Sequence, residues 1–143
     1  MKRGRFLTTG GMGTMGYSIP AGMGAKMYAP DRQVVAVIGD GAFQMSMNEL
    51  ATIRDHNVPL KILIIKNRYL GLVREYQDKT YDGHYSGVEL FDYPHCDKIA
   101  EAYDMPYFHA SSNDELEAEL DKFLACPEAC LMVCDVDWKD NSK

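Results

Sequence analysis

Two short segments combine oxygen donors with tight turns. Gly39-Asp40-Gly41-Ala42-Phe43 follows an apolar, β-branched run and opens a helical pattern, so its carboxylate is expected where a strand ends and a helix begins. Ligands of open α/β sheets collect at such strand ends, and the free N–H groups of a helix N-terminus suit a diphosphate. Lys66-Asn67-Arg68-Tyr69 follows the next apolar run. If the two runs are neighbouring parallel strands, Asp40 and Asn67 face each other at one sheet edge. Together they offer the oxygen ligands that hold magnesium alongside phosphates and water. Each has an ordinary reading when taken alone, Asp40 as a helix cap or turn residue and Asn67 as a loop residue. The combination of the glycine-flanked Asp40, the 24 residues from Ala42 to Ile65 and then Asn67 favours a magnesium–diphosphate site.

A second glycine motif competes with it. Gly11-Met12-Gly13-Thr14-Met15-Gly16 fits GxGxxG, follows a candidate strand at Phe6-Leu7-Thr8-Thr9 and precedes a helix, which is the context of a dinucleotide fingerprint. Asp40, 24 positions beyond Gly16, would be its ribose-binding acid. That reading leaves Asn67 unused, and it does not explain why Asp40 opens a second glycine turn and helix.

The elements that would position these residues follow from periodicity. Val34–Ile38 and Leu60–Ile65 read as buried strands, with Phe43, Met47, Leu50 and Ala51 at helical spacing between them and Asn57-Val58-Pro59 as the stop. Asp97–Asp104 reads as a helix and Pro106–His109 as a short strand. Ser112 with Glu115 reads as a capping box for a helix that turns Leu116, Leu120, Phe123 and Leu124 to one face, and Ala129–Val136 as a final strand. Asp78–His95, rich in Tyr, Gly and Asp, reads as an ordered loop over a site or interface. Strands alternating with helices imply an α/β fold, a three-layer α/β/α sandwich around a mostly parallel sheet.

With 143 residues, 46% of them hydrophobic, residues 1–143 are expected to form one domain. A net charge of -6 with scattered basic residues argues against nucleic acid or an anionic membrane as a partner. The longest strongly apolar run, Leu60–Ile65 broken by Lys61, is far short of the ~20 residues that span a bilayer, and the basic start Met1–Arg5 leads into no apolar stretch of the secretory kind. A cytoplasmic location is the default expectation. Cys96, Cys126, Cys130 and Cys134 lack the spacing of a zinc knuckle, and Cys130 and Cys134 read as small buried core residues.

From Arg5 to about Tyr103 the sequence resembles the C-terminal domain of acetolactate synthase large subunits. The residues that carry this are Gly10–Tyr17, Ile19-Pro20-Ala21, Val34–Phe43, Glu49-Leu50-Ala51-Thr52, Leu70-Gly71-Leu72-Val73-Arg74 and Ile99–Tyr103. The resemblance implies thiamine diphosphate and Mg2+ as cofactors, with Asp40, Asn67 and the Tyr69 carbonyl as metal ligands. It implies cofactor contacts from Gly13, Thr14, Met15, Gly39, Asp40, Gly41, Ala42, Asn67, Tyr69, Leu70 and Gly71. Met15 would wedge beneath the cofactor, and the Gly13 carbonyl would accept a hydrogen bond from its amino group. Leu72 and Tyr76 would line the substrate pocket.

Two departures from the family pattern stand out. Lys66 replaces the first Asn of the usual Asn pair, which leaves the metal ligand Asn67 in place, and Tyr76 replaces a Trp, which leaves the acceptor ketoacid open. The implied activity is decarboxylation of pyruvate and condensation of the product with a second 2-ketoacid. No catalytic side chain is expected from this chain, because the activating glutamate in that family belongs to a pyrimidine-binding domain. The expected partners are therefore such a domain or subunit, and further copies of the chain in a homo-oligomer. The chain would be a truncated or excised domain or one subunit of a split enzyme. Two other readings are a β-type subunit of a split 2-ketoacid decarboxylase of the sulfopyruvate or phosphonopyruvate type, and a non-catalytic binding module.

Overall fold

The structure is a computed structural model and describes residues 5–139. The start of the basic N-terminal stretch, residues 1–4, and the chain end from Asp140 lie outside them. Four strands, β1 (Val35–Gly39), β2 (Lys61–Lys66), β3 (Tyr107–Ala110) and β4 (Cys130–Asp135), form one sheet in the order β1-β2-β4-β3. Every pairing is parallel, and the β1–β2 register sets Gly39 opposite Ile65. Among the described residues there are six helices, α1 (Ser18–Tyr28), α2 (Asp40–Gln44), α3 (Glu49–Asp55), α4 (Gly71–Thr80), α5 (Cys96–Ala102) and α6 (Asn113–Ala125).

Alternation along the strands divides the core in two. Ala36, Ile38, Ile62, Ile64, Leu131 and Val133 point to one face, where they meet Ile19 of α1, Phe43 of α2, Leu50 and Ile53 of α3, and Ala100 of α5. Cys130, Met132 and Cys134 point to the other and meet Phe123 of α6, with Leu120 and Leu124 packed alongside. The result is the α/β/α layering expected from the sequence, with a sheet that is parallel throughout. Burial pushes the Cys130 thiol up to about 12, in keeping with a core role. No helix among the described residues is long and apolar enough to cross a membrane.

Four local readings are corrected. Phe6–Thr9 forms no strand, and these residues are largely exposed. The helix read from Phe43 through Ala51 is two helices, joined by i→i+3 turns from Met45 to Ala51 where Ser46 and Asn48 disfavour α-geometry. Each residue in such a turn rotates about 20° more than in an α-helix, so the inward face moves from Ala51 to Ile53. Glu115 bonds the N–H and hydroxyl of Ser111, both at 2.9 Å, and Ser112 makes no side-chain cap. The loop read from Asp78 begins as the last turn of α4.

Lys61 is 3% exposed, and its ammonium donates to the carbonyls of Cys126 and, at 2.7 Å, Glu128. A cation suits the C-terminal end of α6, where carbonyls lack helical partners. Lys61→Met should keep the packing of the stem but strand two carbonyls, lowering stability by about 1–3 kcal/mol in equilibrium urea unfolding. A parental midpoint in that variant would show that the lysine contributes only its methylenes.

Candidate functional site

β1 ends in Gly39, whose extended backbone (φ -75, ψ 157) hands the chain directly to α2 at Asp40. Parallel pairing with β2 then fixes what Asp40 can reach. Its Oδ1 accepts the Gly41 N–H at 2.9 Å, and its Oδ2 accepts the Arg68 N–H at 2.7 Å, from the loop that leaves β2. Arg68 is itself left-handed (φ 64), so the chain turns sharply just after the donated N–H. One residue earlier, the Asn67 Oδ1 accepts the Tyr69 N–H at 2.9 Å, closing an Asx turn. Asp40 and the Asn67 loop are thus brought together at the carboxyl edge, as the spacing implied.

Asp40 is only 7% exposed and forms no salt bridge among the described residues. Burial raises its pKa above the ordinary carboxylate value, while the N–H groups of Arg68 and Gly41 and the charge of Lys66 act against this without cancelling it. Lys66 is engaged elsewhere, donating to Asp92 Oδ1 at 2.7 Å, and Arg68 Nε lies 3.6 Å from the same oxygen. The Lys66 hydrogen bond and charge hold Asp92 below the usual carboxylate range.

The donor set around Asp40 suits a hard divalent cation. Each oxygen of Asp40 and the Asn67 Oδ1 has one modest N–H bond and a further lone pair. The Tyr69 carbonyl accepts no hydrogen bond among the described residues.

The remaining sequence-derived residues fall into three groups. Gly41 lies in a crowded position, where a Cβ would come within 2.7 Å of Leu70 Cδ2, 3.1 Å of Leu90 Cδ1 and 3.3 Å of Met15 Cε. Met15 and Leu70 therefore meet the turn that follows Asp40, with Ala42 half-buried beside it and Gly71 next to the Asn67 amide. Gly13 (φ 61, left-handed) and Thr14 line a different hollow, a cleft of about 830 Å³ between the N-terminal arm, α1 and the free edge of β1. Leu72 and Tyr76, four residues apart on α4, stand 80% and 58% exposed. Neither Asp40 nor Asn67 lines that larger cleft; Asn67 and Tyr69 line a smaller one of about 500 Å³ with Lys66, Asp92 and Trp138.

Sequence reasoning missed the 88–92 segment as a brace. Leu70 N–H donates to Val88 O at 2.8 Å, and Leu90 N–H donates to Arg68 O at 2.9 Å, so an antiparallel bridge between Tyr69 and Glu89 holds the Asn67 loop. Backbone pairing of this kind leaves no residue signature beyond the Tyr-, Gly- and Asp-rich composition already noted. The strand context expected of GxGxxG is absent, since the residues before Gly11 form no strand.

The raised Asp40 pKa has a definite sign. The protonated acid favours the folded state, a contribution complete below the ordinary value of 3.8 and lost as pH rises through the higher folded value. Relative to Asp40→Asn, the metal-free parent should therefore lose stability as pH is raised from about 4 to about 7, measured by urea midpoints. A stability difference that stays constant over that interval would contradict the assignment.

A family model described as "Thiamine pyrophosphate enzyme, C-terminal TPP binding domain" matches residues 1–134. The acetolactate synthase large subunit of Porphyra purpurea is 36% identical over 142 residues, which cover 99% of this chain and 24% of that protein. The acetolactate synthase isozyme 2 large subunit of Escherichia coli (strain K12) is 36% identical over 136 residues, 95% of this chain and 25% of that protein. Acetolactate synthase 2, chloroplastic, of Nicotiana tabacum is 36% identical over 135 residues, 90% of this chain and 20% of that protein. The chain thus spans about a quarter or less of the length of these relatives. With the parallel sheet and the match over 1–134, the chain belongs to the family of C-terminal TPP-binding domains of thiamine pyrophosphate enzymes.

Proposed function

We propose that this chain binds thiamine diphosphate through Mg2+ and forms the diphosphate-holding half of an acetolactate synthase-like active site. The observation that carries this is the buried Asp40 carboxylate, supported by two N–H groups yet lacking a cationic partner among the described residues. A divalent ion held by Asp40, the Asn67 Oδ1 and the Tyr69 carbonyl would neutralise it and bridge to a diphosphate. When bound, the thiamine ring supplies the electron sink for decarboxylating pyruvate and transferring the remainder to a second 2-ketoacid.

The chain's own residues then bind, orient and exclude water. The bare Gly41 lets Leu70, Leu90 and Met15 close on the turn after Asp40, and Met15 would supply the apolar wedge for the cofactor. Gly13 and Thr14 would offer contacts from the separate cleft on the β1 side, while Gly39, Ala42, Leu70 and Gly71 would shape the backbone around the diphosphate. Leu72 and Tyr76 present one face of α4 to the substrate. The activating glutamate and the second wall of the site come from a pyrimidine-binding domain or subunit, as expected if acetolactate is formed between subunits of an oligomer.

Isothermal titration tests the binding half. Asp40→Ala should keep the fold and lose Mg2+-dependent thiamine diphosphate binding by about 100-fold or more, roughly 2.7 kcal/mol, and Asn67→Ala should weaken it less because a neutral oxygen is lost. Parental affinity in Asp40→Ala would refute the proposal. Assay of the 143-residue chain by itself, with saturating cofactor and Mg2+, should yield no appreciable acetolactate. A positioned acid or base is worth ~10²–10⁴ in rate, and rates near a complete synthase would show that no partner domain is required.

A further inference from the structure

α4 has no buried residue, and its apolar side chains Leu72, Val73 and Tyr76 all stand exposed. Hydrophobic packing therefore does little to hold it. One cation is its principal anchor. The Arg74 guanidinium carbon lies 3.8 Å from the ring centroid of Trp138, 4.4 Å from that of Tyr85 and 5.2 Å from that of Tyr69. Tyr69 and Trp138 also pack on each other, with centroids 5.7 Å apart. These three rings come from separate parts of the chain: the Asn67 loop, the segment after α4 and the stretch beyond β4.

The polar contacts of α4 point the same way. Gln77 exchanges hydrogen bonds with Ser86 at 3.1 and 3.0 Å, and Asp78 accepts the Tyr85 hydroxyl at 2.7 Å, which sets the Tyr85 ring against Arg74. The stretch beyond β4 is itself secured where Val136 N–H donates to Lys66 O at 3.0 Å, beside the Asn67 loop. A guanidinium between aromatic faces is held by charge and stacking together, whereas an ammonium keeps only the charge.

We propose that Arg74, caged by Tyr69, Tyr85 and Trp138, is a positioning residue that ties α4 to the Asn67 loop and so fixes where Leu72 and Tyr76 stand relative to Asp40. The role assigned to Leu72 and Tyr76 rests on the function proposed above; the cage itself does not. Arg74 touches no reacting group in this scheme and acts through the helix it anchors. Tyr69 links the two ends of the device, offering its carbonyl at the metal site and its ring to the cage.

Hydrogen exchange on the 143-residue chain, followed by mass spectrometry without cofactor, reads the anchor directly. Arg74→Met should speed exchange across residues 71–80 about tenfold, the equivalent of ~1.4 kcal/mol of local stability, while amides of β2 stay at the parental rate. Arg74→Lys should restore part of the protection. Trp138 is the only tryptophan in the chain, so acrylamide quenching of its emission should rise in Arg74→Met in parallel. Trp138→Ala removes a cage wall far from α4 in sequence and should loosen the same helix. Unchanged exchange in α4 for Arg74→Met or Trp138→Ala, or equal acceleration in α4 and β2, would overturn the proposal. Failure of the parent to bind thiamine diphosphate would remove the proposed function while leaving this result standing.

Discussion

A carboxylate removed from water must be met by hydrogen bonds or by a cation, and Asp40 at the end of β1 is met by only the first of these. The β1–β2 register decides this arrangement. Setting Gly39 opposite Ile65 brings the N–H of Arg68 to one Asp40 oxygen, while the turn itself delivers Gly41 to the other. The nearest strand-end cation, Lys66, is drawn to Asp92. A negative charge supported by the backbone but not neutralised is an economical way to favour a divalent ion over no ligand at all. Its cost appears as the raised pKa of the free carboxyl.

Around that charge the parts of the molecule are secured in different ways. The sheet is paired continuously from β1 to β3; β4 is buried on both faces, whereas β1 leaves Val35 and Val37 exposed on one. The Asn67 loop is braced by backbone bonds to Val88 and Leu90, so the proposed metal ligands rest on two layers of pairing. α4 is fastened differently, by a caged guanidinium and a few polar bonds along an otherwise exposed helix. In the function proposed above, Asp40 and Asn67 rest on paired backbone, whereas Leu72 and Tyr76 are held in place through the Arg74 cage.

The strands and the GDG turn were legible because both leave strong local signals: apolar β-branched runs of strand length, and a glycine-flanked acid between a strand and a helix. The meeting of Asp40 with the Asn67 loop was legible because parallel neighbours fix which ends face each other. The break between α2 and α3 was not, since Phe43, Met47 and Leu50 keep helical spacing while Ser46 and Asn48 turn the backbone more tightly. Phe6–Thr9 carries strand-forming residues, yet it finds no pairing partner among the described residues. The brace from Val88 to Leu90 and the Arg74 cage depend on contacts between distant segments, which no periodicity encodes.

Paramagnetic broadening tests the proposed cation site most directly. Manganese takes the same octahedral oxygen coordination as magnesium, so adding Mn2+ with thiamine diphosphate to isotopically labelled chain should broaden the amide signals of Gly41, Arg68 and Tyr69 first. That pattern requires the ion to sit against Asp40 and the Asn67 loop. Broadening centred on Asp92, Asp135 and Asp137, with Gly41 left sharp, would contradict the account.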